Sequence, residues 1–302
     1  FQYWEKALAL DASNAVLYRN LGLAYAKMEE DYDKAIGYYE QALKIKADPR
    51  MIYELDMLYE KANVDMELRV KLFKDYASVV PKRVDALIRD VLVSVQSGDY
   101  DEAVSLLEDN YFYRWEGGNE VREYYEDAHL LRVITFLNKG KLKTARAVFE
   151  AALEYPENLV EGRPEIDEAF ARSYYYNGLV LELMGNQEAA DSYYRQAAAE
   201  RTGHSEYTYY NILAFQKLND QQQAEELIGR LEELAAGGSG DRFFAKFGER
   251  QSQRMRQAEK LYLEGLVAKA KGHPEEAGSA FEKAIELNPN HSWAKAHLSE
   301  LD

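Results

Sequence analysis

Residues 258–291 read AEKLYLEGLVAKAKGHPEEAGSAFEKAIELNPNH, and weaker copies of this phrase account for most of the chain. Counted from Ala258, the residues Leu261, Gly265, Ala268, Gly272, Ala277, Phe281, Ala284 and Pro289 fall at positions 4, 8, 11, 15, 20, 24, 27 and 32 of a 34-residue unit. Leu261, Gly265 and Ala268 recur at helical spacing and give a first helix one packing face. Lys271-Gly272 ends that helix, because glycine takes the left-handed conformation past a helix terminus. Pro274 suits a first helical position, with Glu275 and Glu276 near the positive end of a second helix. Gly265 and Ala277 are small, so the two backbones are expected to cross closely there. Phe281 and Ala284 are expected to pack on the following unit, and Asn288-Pro289 to end the second helix.

Earlier stretches keep the phase. Tyr18, Leu21, Gly22, Tyr25, Ala35, Tyr39 and Ala42 form one copy, and the 13 residues from Gly22 to Ala35 exceed the 12 from Gly265 to Ala277. One extra residue is therefore expected in the turn Met28 to Tyr32. The next copy is degenerate: Asp56 replaces the glycine and Arg69 the position-20 alanine, yet Ala35 to Ala103 is 68 residues, two full periods. Asp99 and Glu102 have the spacing of a capping box. Tyr174, Gly178, Gly185, Ala190, Tyr194 and Ala197 make another clear copy, and Ala224 follows with Ile212 and Asn219 in place of both glycines.

This period and these positions resemble the tetratricopeptide repeat, a helix–turn–helix unit that stacks into solenoids. The resemblance implies an all-α fold, a right-handed α-solenoid over 1–302. After a half repeat at 1–13, repeats are expected at 14–48, 49–82, 83–118, 119–159, 164–204, 205–238 and 250–291, with a closing helix at 292–302. The half repeat suggests a fragment of a longer protein, and its apolar end at Phe1–Leu10 suggests self-association.

Phase breaks are informative too. Inserts of 8, 11 and 19 residues precede Ala145, Ala190 and Ala277, each between a second helix and the next first helix, with Asn119, Pro164 and Arg242 as expected helix starts. Their loop-like parts are Tyr111–Gly118, Pro156–Arg163 and Ala235–Asp241. Loops along one edge of a repeat array are often functional. RWEGG, YPENLVEG and ELNPNHSWAKAHL are also similar to the C-terminal repeat region of a family of large bacterial proteins, although that family favours glycine where Val160 stands. That likeness implies an upstream β-rich, carbohydrate-processing-like domain, with this array as its accessory.

With 37 basic and 53 acidic residues, the net charge of −16 argues against nucleic acid, whose phosphates would be repelled. Cysteine is absent, which removes disulfides and thiolate metal sites. A cytoplasmic location is expected, although a cysteine-free chain suits the periplasm equally. No apolar run is long enough to span a bilayer.

Helix-A side chains at positions 5 and 9 line the expected concave face: Arg19, Tyr53, Tyr175, Tyr209 and Tyr262 over Leu23, Leu179, Leu213 and Leu266, with Arg172 beside them. Two readings stay open: a groove for a polypeptide segment, or side chains buried by neighbouring helices. Position 9 is never asparagine, which argues against capture of a C-terminal carboxylate. Among edge-loop residues, Arg114, Trp115, Glu116, Glu157, Asn158, Glu161 and Arg163 are candidates for contact with a partner or a sugar. Trp115 covering the repeat edge is the plainer reading.

Arg242, Lys246, Arg250 and Arg254 recur every four residues as a basic stripe, read first as a solvated face. Glu123, Glu126 and His129 have ligand-like spacing, but His129 stands at a packing position and reads as core. No GxSxG, phosphate loop or HExxH occurs. No catalytic set, cofactor or metal is expected. The function expected is binding of another protein, a peptide or an upstream domain of the same chain.

Overall fold

Short polar residues begin the helices, as the spacing requires. Asn14, Asp31, Asp48, Asp99 and Asn186 each accept backbone N–H groups of the turn that follows, satisfying donors that have no partner within the helix. At Asp99 the expected bond forms, with Glu102 N–H at 3.3 Å from its carboxylate. Pro49 and Pro274 occupy first-turn positions, where a missing N–H costs nothing.

The computed structural model describes residues 2–113, 121–153, 156–162, 165, 167–237 and 253–301. These residues form sixteen α-helices and no strand. The helices are α1 (Gln2–Leu10), α2 (Ala15–Ala24), α3 (Tyr32–Ile45), α4 (Pro49–Lys61), α5 (Met66–Asp75), α6 (Val84–Ser97), α7 (Tyr100–Asp109) and α8 (Val121–Asn138). They continue as α9 (Leu142–Ala152), α10 (Phe170–Leu183), α11 (Gln187–Ala199), α12 (Thr208–Lys217), α13 (Gln221–Gly237), α14 (Gln253–Ala270), α15 (Pro274–Leu287) and α16 (Ser292–Ser299). Even-numbered helices from α2 to α14 are first helices of a pair, and odd-numbered ones their second helices. None is long and apolar enough to cross a membrane.

The chain divides into two compact units, Phe1–Tyr125 with Pro156–Glu161, and Glu126–Tyr155 with Gly162–Asp302. In the first unit α2 packs on α3, α3 on α4, and α6 on α7. In the second, α10 through α15 pack each on the next. This is stacked helix–turn–helix architecture. At the start of the first unit, Tyr3 and Leu10 of α1 are 87% and 90% exposed.

The small position 8 leaves room for an aromatic ring of the second helix. A Cβ on Gly265 would stand 2.5 Å from the ring of Phe281, one on Gly178 2.6 Å from Tyr194, and one on Gly22 2.7 Å from Tyr39. The aromatic at position 24 thus covers the glycine of its own unit and also reaches the next: Tyr39 donates to Glu54 on α4 at 2.9 Å, and the Phe281 ring stands 5.7 Å from His297 on α16. At Gly22 the second-helix backbone also comes close, with the Ala35 carbonyl at 3.0 Å.

Turns between paired helices take a left-handed residue, and Asn63 (φ 55°) and Asn219 (φ 59°) stand where other units use glycine. Asparagine tolerates this region best after glycine. The extra residue of the first full copy is absorbed earlier than expected, by a π-helical turn at Tyr25–Glu29 that ends with Glu30 left-handed. One helix start is also corrected. The helix expected from Pro164 begins at Phe170, with Ala169 as its cap. Asn119 and Arg242 lie outside the described residues.

Candidate functional site

In the second unit, the first-helix face is covered by the chain's own last helix. The indole N–H of Trp293 donates to Asp127 on α8 at 3.0 Å. The Asn138 amide, also on α8, donates to the Ser299 hydroxyl at 3.1 Å. The Arg172 guanidinium on α10 sits 3.9 Å from the Trp293 ring centre and pairs with Asp127 at 2.6 Å. The Tyr210 hydroxyl on α12 lies 3.2 Å from Nε2 of His297. Lys269 on α14 pairs with Glu300 at 2.5 Å, and the Tyr176 hydroxyl donates to the same carboxylate at 2.7 Å. A helix of eight residues is only about 12 Å long, yet α16 reaches four consecutive first helices.

Around His297 stand Tyr209, Tyr210, Tyr262, Phe281 and Trp293, with ring centres between 5.4 and 6.1 Å away. His297 is fully buried, and burial pulls its pKa below the ordinary value despite the neighbouring carboxylate. Glu300 moves down to about 2: burial opposes ionisation, but the hydrogen bond with His297 and the Lys269 ammonium outweigh it. Burial pushes Tyr176, Tyr209, Tyr210 and Tyr262 well above the usual phenol range. These phenols are neutral hydrogen-bonding groups and not acids.

The residues proposed from sequence for the partner face separate accordingly. Arg172, Tyr175, Tyr209, Tyr262 and Leu266 are buried. Leu179 and Leu213 are half-buried. In the first unit, Arg19, Leu23 and Tyr53 are half-buried. Arg19 is held by Glu54, which also accepts from Tyr39 at 2.9 Å and Arg50 at 3.0 Å. Sequence spacing pointed to no role for Trp293, His297 or Glu300. The only sequence signal was the aromatic and charged content of a segment expected merely to close the array.

Among the edge-loop candidates, Asn158 has a structural task. Its amide donates to the carbonyls of Leu107 at 2.7 Å and Asn110 at 2.5 Å, and its own carbonyl accepts from Phe112 N–H at 2.8 Å. It closes the end of α7, where helix carbonyls lack partners. Glu157 is exposed and Glu161 half-buried. Arg114, Trp115, Glu116 and Arg163 lie outside the described residues. Beside them, Tyr111 and Tyr113 are 51% and 66% exposed, with ring centres 4.8 Å apart.

Of the basic stripe, Arg254 is described and donates to the Leu287 carbonyl at 2.5 Å, while Arg242, Lys246 and Arg250 lie outside the described residues. His129 is buried, and burial brings its pKa down to about 4. No three His, Asp or Glu side chains gather as a metal site among the described residues.

Two stretches, 17–50 and 258–291, match family models of the tetratricopeptide repeat. Among solved structures, a tetratricopeptide repeat protein from Parabacteroides merdae is 13% identical over 100% of this chain and 99% of its own, with a TM-score of 0.49. Yeast Tom70 is 17% identical over 93% of this chain and 63% of its own, at a TM-score of 0.36. The apo quorum sensor NprR from B. thuringiensis is 12% identical over 90% and 76%, at 0.40.

Proposed function

We propose that this chain, a tetratricopeptide-repeat protein, is a scaffold for protein–protein or interdomain contact, holding a polypeptide segment along its first-helix face without a reaction of its own. Tetratricopeptide repeats in general mediate contacts between proteins. One observation carries the finer reading: in the second unit that face holds a helical segment, α16, through an indole N–H, a guanidinium–indole stack and a carboxylate–ammonium pair. A helix laid in a groove is a recurrent mode of peptide recognition. In the first unit the half-buried Leu23, Tyr53, Met57, Ile88 and Leu92 are the residues offered for contact, while buried Tyr175, Tyr209, Tyr262 and Leu266 support the second-unit face from beneath.

Photo-crosslinking tests this. A crosslinking residue at position 23, 53 or 92 is expected to capture a polypeptide that the same probe at exposed Lys71 on α5 does not. Equal capture at position 71 rejects the face.

A second reading is favoured by the exposed Tyr111–Tyr113 pair, since aromatic side chains at a loop edge suit stacking on a sugar ring. It makes the array a carbohydrate-binding accessory. Titration with oligosaccharide should then change tyrosine fluorescence, and Tyr113→Ala should remove the change. An unaltered response in the variant excludes this reading.

A further inference from the structure

We infer that α16 is an exchangeable ligand of the second unit's first-helix face, and that the partner this face fits is a helix carrying an indole, then an imidazole one turn on, then a carboxylate after two turns. This rests on the reading of the first-helix face as a polypeptide site and names the chemistry it selects. Trp293, His297 and Glu300 are spaced i, i+4 and i+7, which places them on one side of a helix. Each meets a dedicated receptor group: Asp127 and Arg172 for the indole, Tyr210 for the imidazole, Lys269 and Tyr176 for the carboxylate.

The charge arrangement separates a ligand from an ordinary core helix. Buried Arg172 has its counter-charge, Asp127, on the receptor side, so the pair stays neutral when α16 leaves. The ionic contact broken by departure is Lys269–Glu300, whose side chains are 17% and 19% exposed and can be taken up by water. No buried charge is orphaned, and orphaned charge is what makes breaking such pairs costly. His297 leaves as a neutral group. Polar recognition of this kind selects one partner over others more than it adds affinity. Only Asn288–Asn290 and the cap His291 join α16 to α15. Such a short tether holds α16 at an effective concentration of roughly millimolar, so an external helix competes against a tethered one.

The test uses the full chain with a protease site placed between Pro289 and Asn290, cut while folded. The probe is a labelled peptide of sequence NPNHSWAKAHLSELD, residues 288–302. The cut chain should exchange its own segment for the probe and keep its helical circular dichroism, and the uncut chain should bind the probe at least about tenfold more weakly, because its tether competes. The same peptide with Trp293→Ala should bind the cut chain at least about tenfold more weakly, as loss of a buried aromatic anchor does. Loss of helicity when the segment leaves makes α16 part of the core and overturns the inference. Failure of the probe to exchange, or equal binding by the Trp293→Ala peptide, also overturns it. Any of these outcomes together with selective crosslinking at positions 23, 53 or 92 leaves the general scaffold reading intact.

Discussion

Arg69 meets Asp56 side-on inside the second full repeat, with its Nε 2.7 Å from one carboxylate oxygen and its second terminal nitrogen 3.0 Å from the other, and both residues are wholly buried. In the repeat these are the two positions reserved for small residues. The unit reads as degenerate because both differ from the clear copies, and a bidentate ion pair fills the space. Arg89 adds a second guanidinium to Asp56 at 2.7 Å, and Gln96 accepts from Arg69 at 2.9 Å.

Breaking this pair from one side should be costly. Arg69→Ala should lower unfolding stability by about 3–5 kcal/mol, because a carboxylate loses a buried partner. Asp56→Gly together with Arg69→Ala, which restores the small residues of the other units, should cost less than the worse single change. Urea denaturation of the four proteins completes the cycle. Additive losses would mean that the two residues do not act as a unit.

Gly265 should not accept a methyl group. Gly265→Ala places a Cβ 2.5 Å from the Phe281 ring and should destabilise by roughly 1–3 kcal/mol, the cost of overpacking. Gly229→Ala on α13, where nothing lies within 4 Å, should instead stabilise by up to about 1 kcal/mol through helix propensity. Thermal denaturation of the two variants should therefore move in opposite directions.

Val160 sits at φ 58°, a left-handed conformation that a β-branched residue rarely adopts. Val160→Gly should gain roughly 1 kcal/mol, since left-handed backbone costs an L-residue about 1–2 kcal/mol and glycine's unfolded-state entropy returns part of that. A lower midpoint in the variant would show that the valine side chain contributes more than its backbone loses.

Acidification should weaken the second unit through its histidines. His129 has a folded pKa of about 4, below its ordinary 6.5, so the unfolded chain binds the proton more tightly. Its contribution is complete above pH 6.5, declines as pH falls, and is lost by about pH 4. The difference corresponds to roughly 3 kcal/mol. His297 acts in the same direction. Glu300, with a depressed pKa of about 2, gives stability present above its ordinary 4.5 and lost as pH falls toward 2. Denaturation midpoints measured between pH 7.5 and 4 should fall less steeply in His129→Gln than in the parent. Parallel curves would remove His129 from this account.

Much of the array was legible because its determinants are local. Pro274, Gly272 and the acidic caps act on backbone within a turn of themselves, and a glycine is followed by an aromatic 16 or 17 residues on in three copies. The seat of Phe281 over Gly265 was signalled by spacing as well, since the two are 16 residues apart, as are Gly178 and Tyr194. The edge loops were less legible. Asn158 caps α7 from 48 residues beyond Asn110, and no periodicity encodes that return.

By itself, then, the sequence determined the helices, their pairing and the face each turns toward its neighbour, because those depend on side chains one to five turns apart. Only the tertiary structure decided what covers that face. Tyr176 meets Glu300 across 124 residues, and Asp127 meets Trp293 across 166. A tyrosine at position 5 reads the same in sequence whether water, a partner or α16 lies above it. Burial belongs to the element that comes back to cover a surface, and in the second unit that element is α16.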